Sequence, residues 1–177
     1  KADRCLTQLL SERDPASPEG RKALESLRSI GPEAIPKVIE AFATADKEHG
    51  GAMVTLLASL LDDKTFPLFS AGLAHTDKLC VAGVTKALAI SANYDTNRLT
   101  ELLGRPEIFK PALIEIVGIV RKRLNARELL KRDYDLEPRE KAAVFKIIGD
   151  IAGPDLVPDL IARIEGKDPS VRLNIIE

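Results

Sequence analysis

The chain has 177 residues, 45 % of them hydrophobic, which is enough to bury a sizeable core and excludes a disordered protein. It contains no tryptophan and only 4 % aromatic residues, and clusters of β-branched residues are few, so the composition favours helices packed on helices. With 26 lysines and arginines against 27 aspartates and glutamates, no global field attracts nucleic acid or an anionic membrane.

The first predicted element is a helix over residues 1–10, which we interpret as the second helix of an earlier helix pair. A polar loop, SERDPASP, follows it. Residues 29–46 then contain a Gly-Pro turn and a helix that begins near Pro36. On this helix a 3.6-residue period places three apolar residues toward the core, namely Val38, Ile39 and Phe42.

The next helices are predicted from glycine, proline and capping signals. Gly50-Gly51 are expected to open a helix over residues 52–61, and Pro67 is expected to lie in the first turn of the helix after it. Residues 113–120 are almost wholly apolar, which predicts a helix with neighbours on most sides. Asn125 with Glu128 has the form of a capping box, which predicts a helix over residues 126–132.

The last complete helix pair is predicted after residue 137. Pro138 can open a helix without losing a needed hydrogen bond, and Gly153 is expected to end it. A helical wheel over residues 138–152 places three charged residues on a narrow exposed strip: Arg139, Lys146 and Asp150. Residues 168–177 are expected to open a further helix whose partner is missing.

Comparing the chain with itself reveals a repeat. A segment similar to residues 29–46 occurs near the other end of the chain, where Gly153-Pro154 matches Gly31-Pro32. A third copy lies between them. Three prolines are each followed ten positions later by an aspartate, in the pairs Pro36 and Asp46, Pro67 and Asp77, and Pro158 and Asp168. Self-similarity at a period of roughly 30 residues is typical of stacked helix pairs.

These residues resemble the HEAT repeat family, in its short bacterial variety similar to phycobilisome-lyase repeats. The segment Asp168-Pro169-Ser170-Val171-Arg172 matches the family's Asp-Pro opening and its Val-Arg pair, and Gly31 to Pro36 matches its glycine-to-proline linkage. The resemblance implies an all-α protein that forms an α-α superhelix, a HEAT-like solenoid of about five helix pairs. Residues 1–177 would then form a single repeat domain. Part-repeats at 1–14 and 168–177 then imply a fragment of a longer chain.

The sequence predicts no membrane span, because no stretch has the roughly 18 apolar residues that a span needs. Cys5 and Cys80 lie in apolar helical stretches, and we interpret both as reduced core residues rather than a disulfide. Together these observations favour a soluble, cytoplasmic protein.

No set of residues predicts catalysis, a metal or a cofactor. His49 is interpreted as a solvated loop residue, with a metal site shared with Glu48 as the alternative. His75 is expected to ease the negative end of a helix dipole. A basic cluster follows the apolar stretch 113–120 and is interpreted as a solvated turn, with an anion or acidic-partner site as the alternative; it contains Arg121, Lys122, Arg123, Arg127, Lys131 and Arg132.

Because such repeats usually bind proteins, the resemblance implies a non-catalytic protein-interaction scaffold or regulatory module. Its partner would be another protein or another domain of the same longer chain. The alternative is a HEAT-type enzyme or enzyme accessory, similar to a DNA glycosylase or a chromophore lyase. Absent tryptophan and balanced charge argue against nucleic acid, which needs stacking surfaces and several phosphate contacts.

The binding surface is expected on the second helices, at the positions that point away from their apolar stripes. We call this surface the ridge. Its members are Lys37, Glu40, His75, Arg98, Glu101, Arg127, Lys131, Asp159 and Arg163.

Overall fold

The computed structural model describes residues 1–131 and 134–165, the last three of them by their backbone only. The described residues form α-helices and short 3-10 turns and contain no strand, which confirms the all-helical prediction. The helices are α1 (Ala2–Ser11), α2 (Pro18–Ile30), α3 (Ile35–Ala41), α4 (Lys47–Leu60), α5 (Phe66–Leu73), α6 (Lys78–Ile90), α7 (Arg98–Leu102), α8 (Lys110–Val120), α9 (Ala126–Lys131), α10 (Pro138–Ile151) and α11 (Val157–Glu165).

Contacts divide the chain into two compact units, the first from Lys1 to Tyr94 and the second beginning at Asp95. The boundary falls between α6 and α7. The single repeat domain stays a prediction, and residues 168–177, predicted as a part-repeat, lie outside the described part of the chain.

The repeated prolines occupy the same helical position. Pro36, Pro67 and Pro158 are each the second residue of a helix, α3, α5 and α11, where a missing N–H costs no intrahelical hydrogen bond. Two residues further on, all three helices bury an apolar side chain, namely Val38, Phe69 and Leu160. The repeat found in the sequence therefore recurs in the structure as a common second-helix pattern.

The repeated aspartates cap the helices that follow. Asp46 Oδ1 accepts the backbone N–H of His49 at 2.9 Å, and Asp77 Oδ1 accepts those of Leu79 at 2.7 Å and Cys80 at 3.2 Å. Such side-chain acceptors satisfy donors that the first turn of a helix leaves open. Two of the three repeated aspartates, Asp46 and Asp77, thus start the helices α4 and α6, and Asp168 lies outside the described residues.

The first unit packs its helices in sequence order. Helix α4 contacts α2 and α6, and α3 contacts α5. Two glycines allow close approach between these helices. A Cβ on Gly72 would lie 2.8 Å from Val84 Cγ2 and 3.0 Å from Ile39 Cδ1, and a Cβ on Gly83 would lie 2.5 Å from the Phe42 ring. The core of this unit therefore depends on small residues inside its helices.

The second unit centres on α8, which contacts α7 and α10. Its buried side chains are Ala112, Leu113, Ile116, Val117 and Val120, while Glu115 is exposed, as the apolar pattern predicted. Helix α10 begins at Pro138, where Glu140 accepts the backbone N–H of Glu137 at 3.0 Å. Arg139, Lys146 and Asp150 are exposed on α10, in agreement with the helical wheel.

Of two sequence predictions of helix starts, the one at residue 52 was wrong, whereas the one at residue 126 is confirmed for the start of α9 but not for its cap. Helix α4 begins at Lys47 instead of residue 52, because the Asp46 cap lies upstream and the two glycines continue the helix. The capping box at Asn125 also fails. The backbone N–H of Asn125, which Glu128 was expected to accept, donates to Asn97 Oδ1 at 2.8 Å. Asn125 nevertheless caps α9 through the N–H of Arg127, at 3.0 Å.

Candidate functional site

Polar side chains connect the starts of successive second helices in the second unit. Asn97, just before α7, accepts the backbone N–H of Asn125, just before α9. Arg127, in the first turn of α9, donates to Asp155 Oδ2 at 3.1 Å, two residues before α11. Both links join residues 28 positions apart. They hold the starts of α7, α9 and α11 in a series along one side of the unit.

A groove lies between α9 and α11 at the end of this series. It has a volume of about 360 Å³ and is lined by Arg127, Leu130, Lys131, Asp159 and Ala162. Leu130 is buried, whereas Arg127, Lys131 and Asp159 are exposed. Three predicted ridge residues therefore meet at one concave surface with a small apolar floor and charged groups around it.

The charges around this groove are partly balanced within the chain. Arg127 forms its ion pair with Asp155, and Lys131 Nζ lies 2.8 Å from Glu128 Oε1 on the same helix. The Arg127 and Lys131 side chains remain 51 % and 59 % exposed, so both can also contact a ligand. This arrangement suits a surface of mixed charge better than a single anion.

The other ridge residues lie apart from this groove. In the second unit, Arg98 is half-buried and Glu101 exposed, both on α7, and the side chain of Arg163 lies outside the described residues. In the first unit, Lys37 and Glu40 are exposed on α3 and form an ion pair at 3.1 Å. The hydrogen bond with Glu40 raises the pKa of Lys37 above its ordinary value.

His75 contacts the turn after α5, and its predicted effect on the helix dipole stays a prediction. It follows α5, and its Nδ1 accepts the backbone N–H of Asp77 at 3.0 Å. His75 therefore orders the turn that leads into α6.

His49 was predicted as a solvated loop residue, which was wrong. It lies in the first turn of α4 and is 3 % exposed. Its Nδ1 is 2.8 Å from Asp46 Oδ1, while its buried Nε2 has no hydrogen-bond partner among the residues that the structure describes. Hydrogen bonds from the backbone N–H and the side chain of His49 hold the pKa of Asp46 below its ordinary value. The Asp46–His49 contact closes the first turn of α4.

The basic cluster after α8 is partly paired with acids. Arg121 Nη1 donates to the Gly118 carbonyl at 2.8 Å, and its Nε lies 3.6 Å from Asp150 Oδ2. Arg127 and Lys131 have the acidic partners given above. Lys122 is exposed, and Arg132 lies outside the described residues. Arg121 to Arg123 form a 3-10 turn, whereas Arg127 and Lys131 lie on α9, so both the solvated turn and the acidic-partner site stay predictions.

The two cysteines are free, as predicted, although only Cys80 is buried and Cys5 is half-exposed. Burial raises the pKa of the Cys80 thiol. Within residues 1–131 and 134–165, no three histidine, cysteine or acidic side chains are placed to hold a metal ion together. In the same part of the chain, no helix has both the length and the apolar character that crossing a bilayer requires.

Comparisons with protein-family models, with curated proteins and with solved structures found no match to this chain. What the structure establishes is the class of protein: an all-α chain of packed helices. The resemblance to HEAT repeats rests on the sequence motifs.

Sequence reasoning missed several residues that organise these surfaces. Asp46 and Asp77 were noticed as repeated acids, and their position before an apolar helix is the signal that could have identified them as caps. Asn97 gave no such signal, because its partner is 28 residues away. Gly72 and Gly83 lie inside helices where glycine is unfavourable, which is itself a signal of close backbone approach.

Proposed function

We propose that the protein is a non-catalytic interaction scaffold or regulatory module, which binds another protein or another domain of the same polypeptide. The binding surface is the exposed edge of its second helices. The observation that carries this proposal is the groove between α9 and α11, where Arg127, Lys131 and Asp159 lie together over a buried leucine. Interaction surfaces commonly combine an apolar centre with a polar rim.

The proposal includes a HEAT-like solenoid, in which helix pairs stack in chain order over residues 1–177. One line of support is the shared proline position in α3, α5 and α11. Another is that the proposed first helices contact each other within each unit. In the first unit α4 contacts α2 and α6, and in the second α8 contacts α10. A solenoid exposes its second helices along an extended face, which suits a protein partner.

The chemistry of the ridge favours a partner surface of mixed charge. It carries both acids and bases, and the described ion pairs, Lys37 with Glu40 and Arg127 with Asp155, leave each side chain about half exposed or more. Such charges contribute little to folding but orient an approaching partner and speed its association.

The test is a triple charge reversal, Arg98→Glu, Arg127→Glu and Lys131→Glu. Affinity for the partner, recovered by affinity purification and measured by calorimetry, should fall by about tenfold or more. The free energy of unfolding should fall by no more than about 3 kcal/mol, because each of these three surface charges contributes about 1 kcal/mol or less.

The matched control reverses two exposed charges on α10, Arg139→Glu and Lys146→Glu, and should bind like the wild type. If the triple variant binds normally while this control does not, the binding surface lies on the first helices and the proposal is wrong.

A further inference from the structure

A second groove lies in the first unit, between α4 and α6, on a surface that the ridge does not include. Its volume is about 430 Å³. Phe42 and Val54 line it and are largely buried, whereas Leu79, on the α6 side, is 56 % exposed. An apolar floor beside an exposed leucine is a surface that another apolar group can cover.

The exposed face of α6 extends this apolar surface. Lys86 and Ile90 follow Leu79 by seven and eleven positions, which places all three on one face of a helix with 3.6 residues per turn. Ile90 is 61 % exposed. From Leu79 to Lys86 this face is about 10 Å long, which an extended segment of about three residues covers.

Two lysines give the groove an excess of positive charge. Lys47 and Lys86 line it and are exposed, and neither has an ion-pair partner among the residues that the structure describes. Asp46 is the acid in the lining, so two lysines face one carboxylate, whose Oδ1 also accepts hydrogen bonds from the backbone N–H and the ring of His49. A ligand with carboxylates beside an apolar side chain is therefore complementary to both the floor and the lysines.

The α4 side of the groove leaves its backbone open. A Cβ added at Gly50 or at Gly51 would meet no heavy atom within 4 Å. A peptide can thus approach the helix more closely here than where side chains intervene. Both glycines lie inside α4, where they cost helix stability relative to alanine.

We propose that this groove docks a short acidic segment of a partner protein, with an apolar side chain over Phe42 and Val54 and carboxylates paired with Lys47 and Lys86. A nucleic acid would bring phosphates but no apolar side chain for Leu79 and the floor. This docking site is separate from the ridge, and its test does not depend on the ridge.

The probe is a set of fluorescein-labelled hexapeptides, each with two glutamates on either side of a central pair drawn from leucine, isoleucine, valine, methionine and phenylalanine. A matched set has lysine in place of glutamate. Fluorescence anisotropy should show that the best acidic peptide binds about tenfold or more tightly than its lysine counterpart. Equal binding of the two sets, or no binding of the acidic set, overturns the proposal.

The blocking variant is Gly51→Leu, which fills the groove and should keep its helix because the added side chain meets open space. The matched control is Gly149→Leu in α10, whose added Cβ also meets no atom within 4 Å. Gly51→Leu should lower the affinity for the acidic peptide by about tenfold or more, and Gly149→Leu should leave that affinity unchanged. Equal affinities of these two variants contradict the proposal.

A second variant, Lys86→Glu, should lower the affinity for the acidic peptide by a similar factor. It should also remove the preference for the glutamate peptides over the lysine peptides. Two other results would also overturn the proposal. One is a wild-type dimer that Gly51→Leu converts to a monomer in analytical ultracentrifugation. The other is a labelled single-stranded oligonucleotide that binds the wild type but not Gly51→Leu.

Discussion

Successive helix pairs are joined differently in the two units. Before residue 95, glycines let helices approach until Gly83 rests on the Phe42 ring and Gly72 lies against Ile39 and Val84. After residue 95, side-chain hydrogen bonds and ion pairs, such as Arg127 with Asp155, connect the starts of second helices. Close apolar contacts are sensitive to added volume, whereas exposed polar links are sensitive to salt and leave charges accessible. The first unit also has an exposed ion pair between helices, Lys37 of α3 with Asp3 of α1 at 3.9 Å, so its close glycine contacts are what distinguish it.

The largest expected effect is an added methyl group at Gly83. In Gly83→Ala the Cβ would lie 2.5 Å from ring atoms of the buried Phe42, and we expect a loss of about 1–3 kcal/mol in the free energy of unfolding. The matched change in the second unit is Gly118→Ala, where the nearest atom, Ile147 Cδ1, is 3.7 Å away. That variant should gain up to about 1 kcal/mol from helix propensity.

Urea denaturation of both variants measures the difference. Phe42→Leu removes the ring. In that background Gly83→Ala should lower the free energy of unfolding much less than it does beside phenylalanine. If the two alanine variants have the same stability, the contrast between the units does not hold.

A smaller effect is expected for the polar link between α9 and α11. A double-mutant cycle with Arg127→Ala and Asp155→Ala should give a coupling free energy of about 0.2–1 kcal/mol, because both side chains are at least half exposed. The coupling should decrease in about 1 M salt, where the Debye length is roughly 3 Å. A coupling that is larger and independent of salt would place this link in the core.

The smallest effect concerns the pH dependence of the α4 cap. The hydrogen bonds from His49 hold the pKa of Asp46 below its ordinary value, so the cap contributes stability above that ordinary value and loses it as the pH falls through the lowered pKa. Asp46→Asn keeps a capping oxygen but cannot titrate. Between about pH 5 and pH 2 its Tm should therefore fall less steeply than that of the wild type. Parallel curves for the two proteins would contradict this role.

Much of the helical structure was predictable from local patterns. Proline marked the second position of three helices, and the 3.6-residue period correctly placed Val38, Ile39 and Phe42 in the core. These features depend on residues a few positions apart. The α4 start was mispredicted because two glycines suggested that the helix begins after them, whereas the Asp46 cap starts it at Lys47 and the glycines are helical.

The candidate surfaces were only partly predictable. Helical periodicity predicted Arg127, Lys131 and Asp159 on exposed faces, but their meeting at one groove depends on how α9 and α11 pack. The role of Asn97 depends on a partner 28 residues away. No local pattern encodes such distances, and the division at Asp95 likewise follows from packing across many residues.

Site-specific photocrosslinking tests the proposed binding surface most directly. Benzoylphenylalanine replaces Lys131 on α9 in one variant and Lys146 on α10 in the other, both exposed positions of the second unit. After irradiation in the native cells, we expect a discrete crosslinked partner from position 131 and none from position 146. A partner crosslinked from position 146 alone would show that the second-helix ridge is not the binding surface.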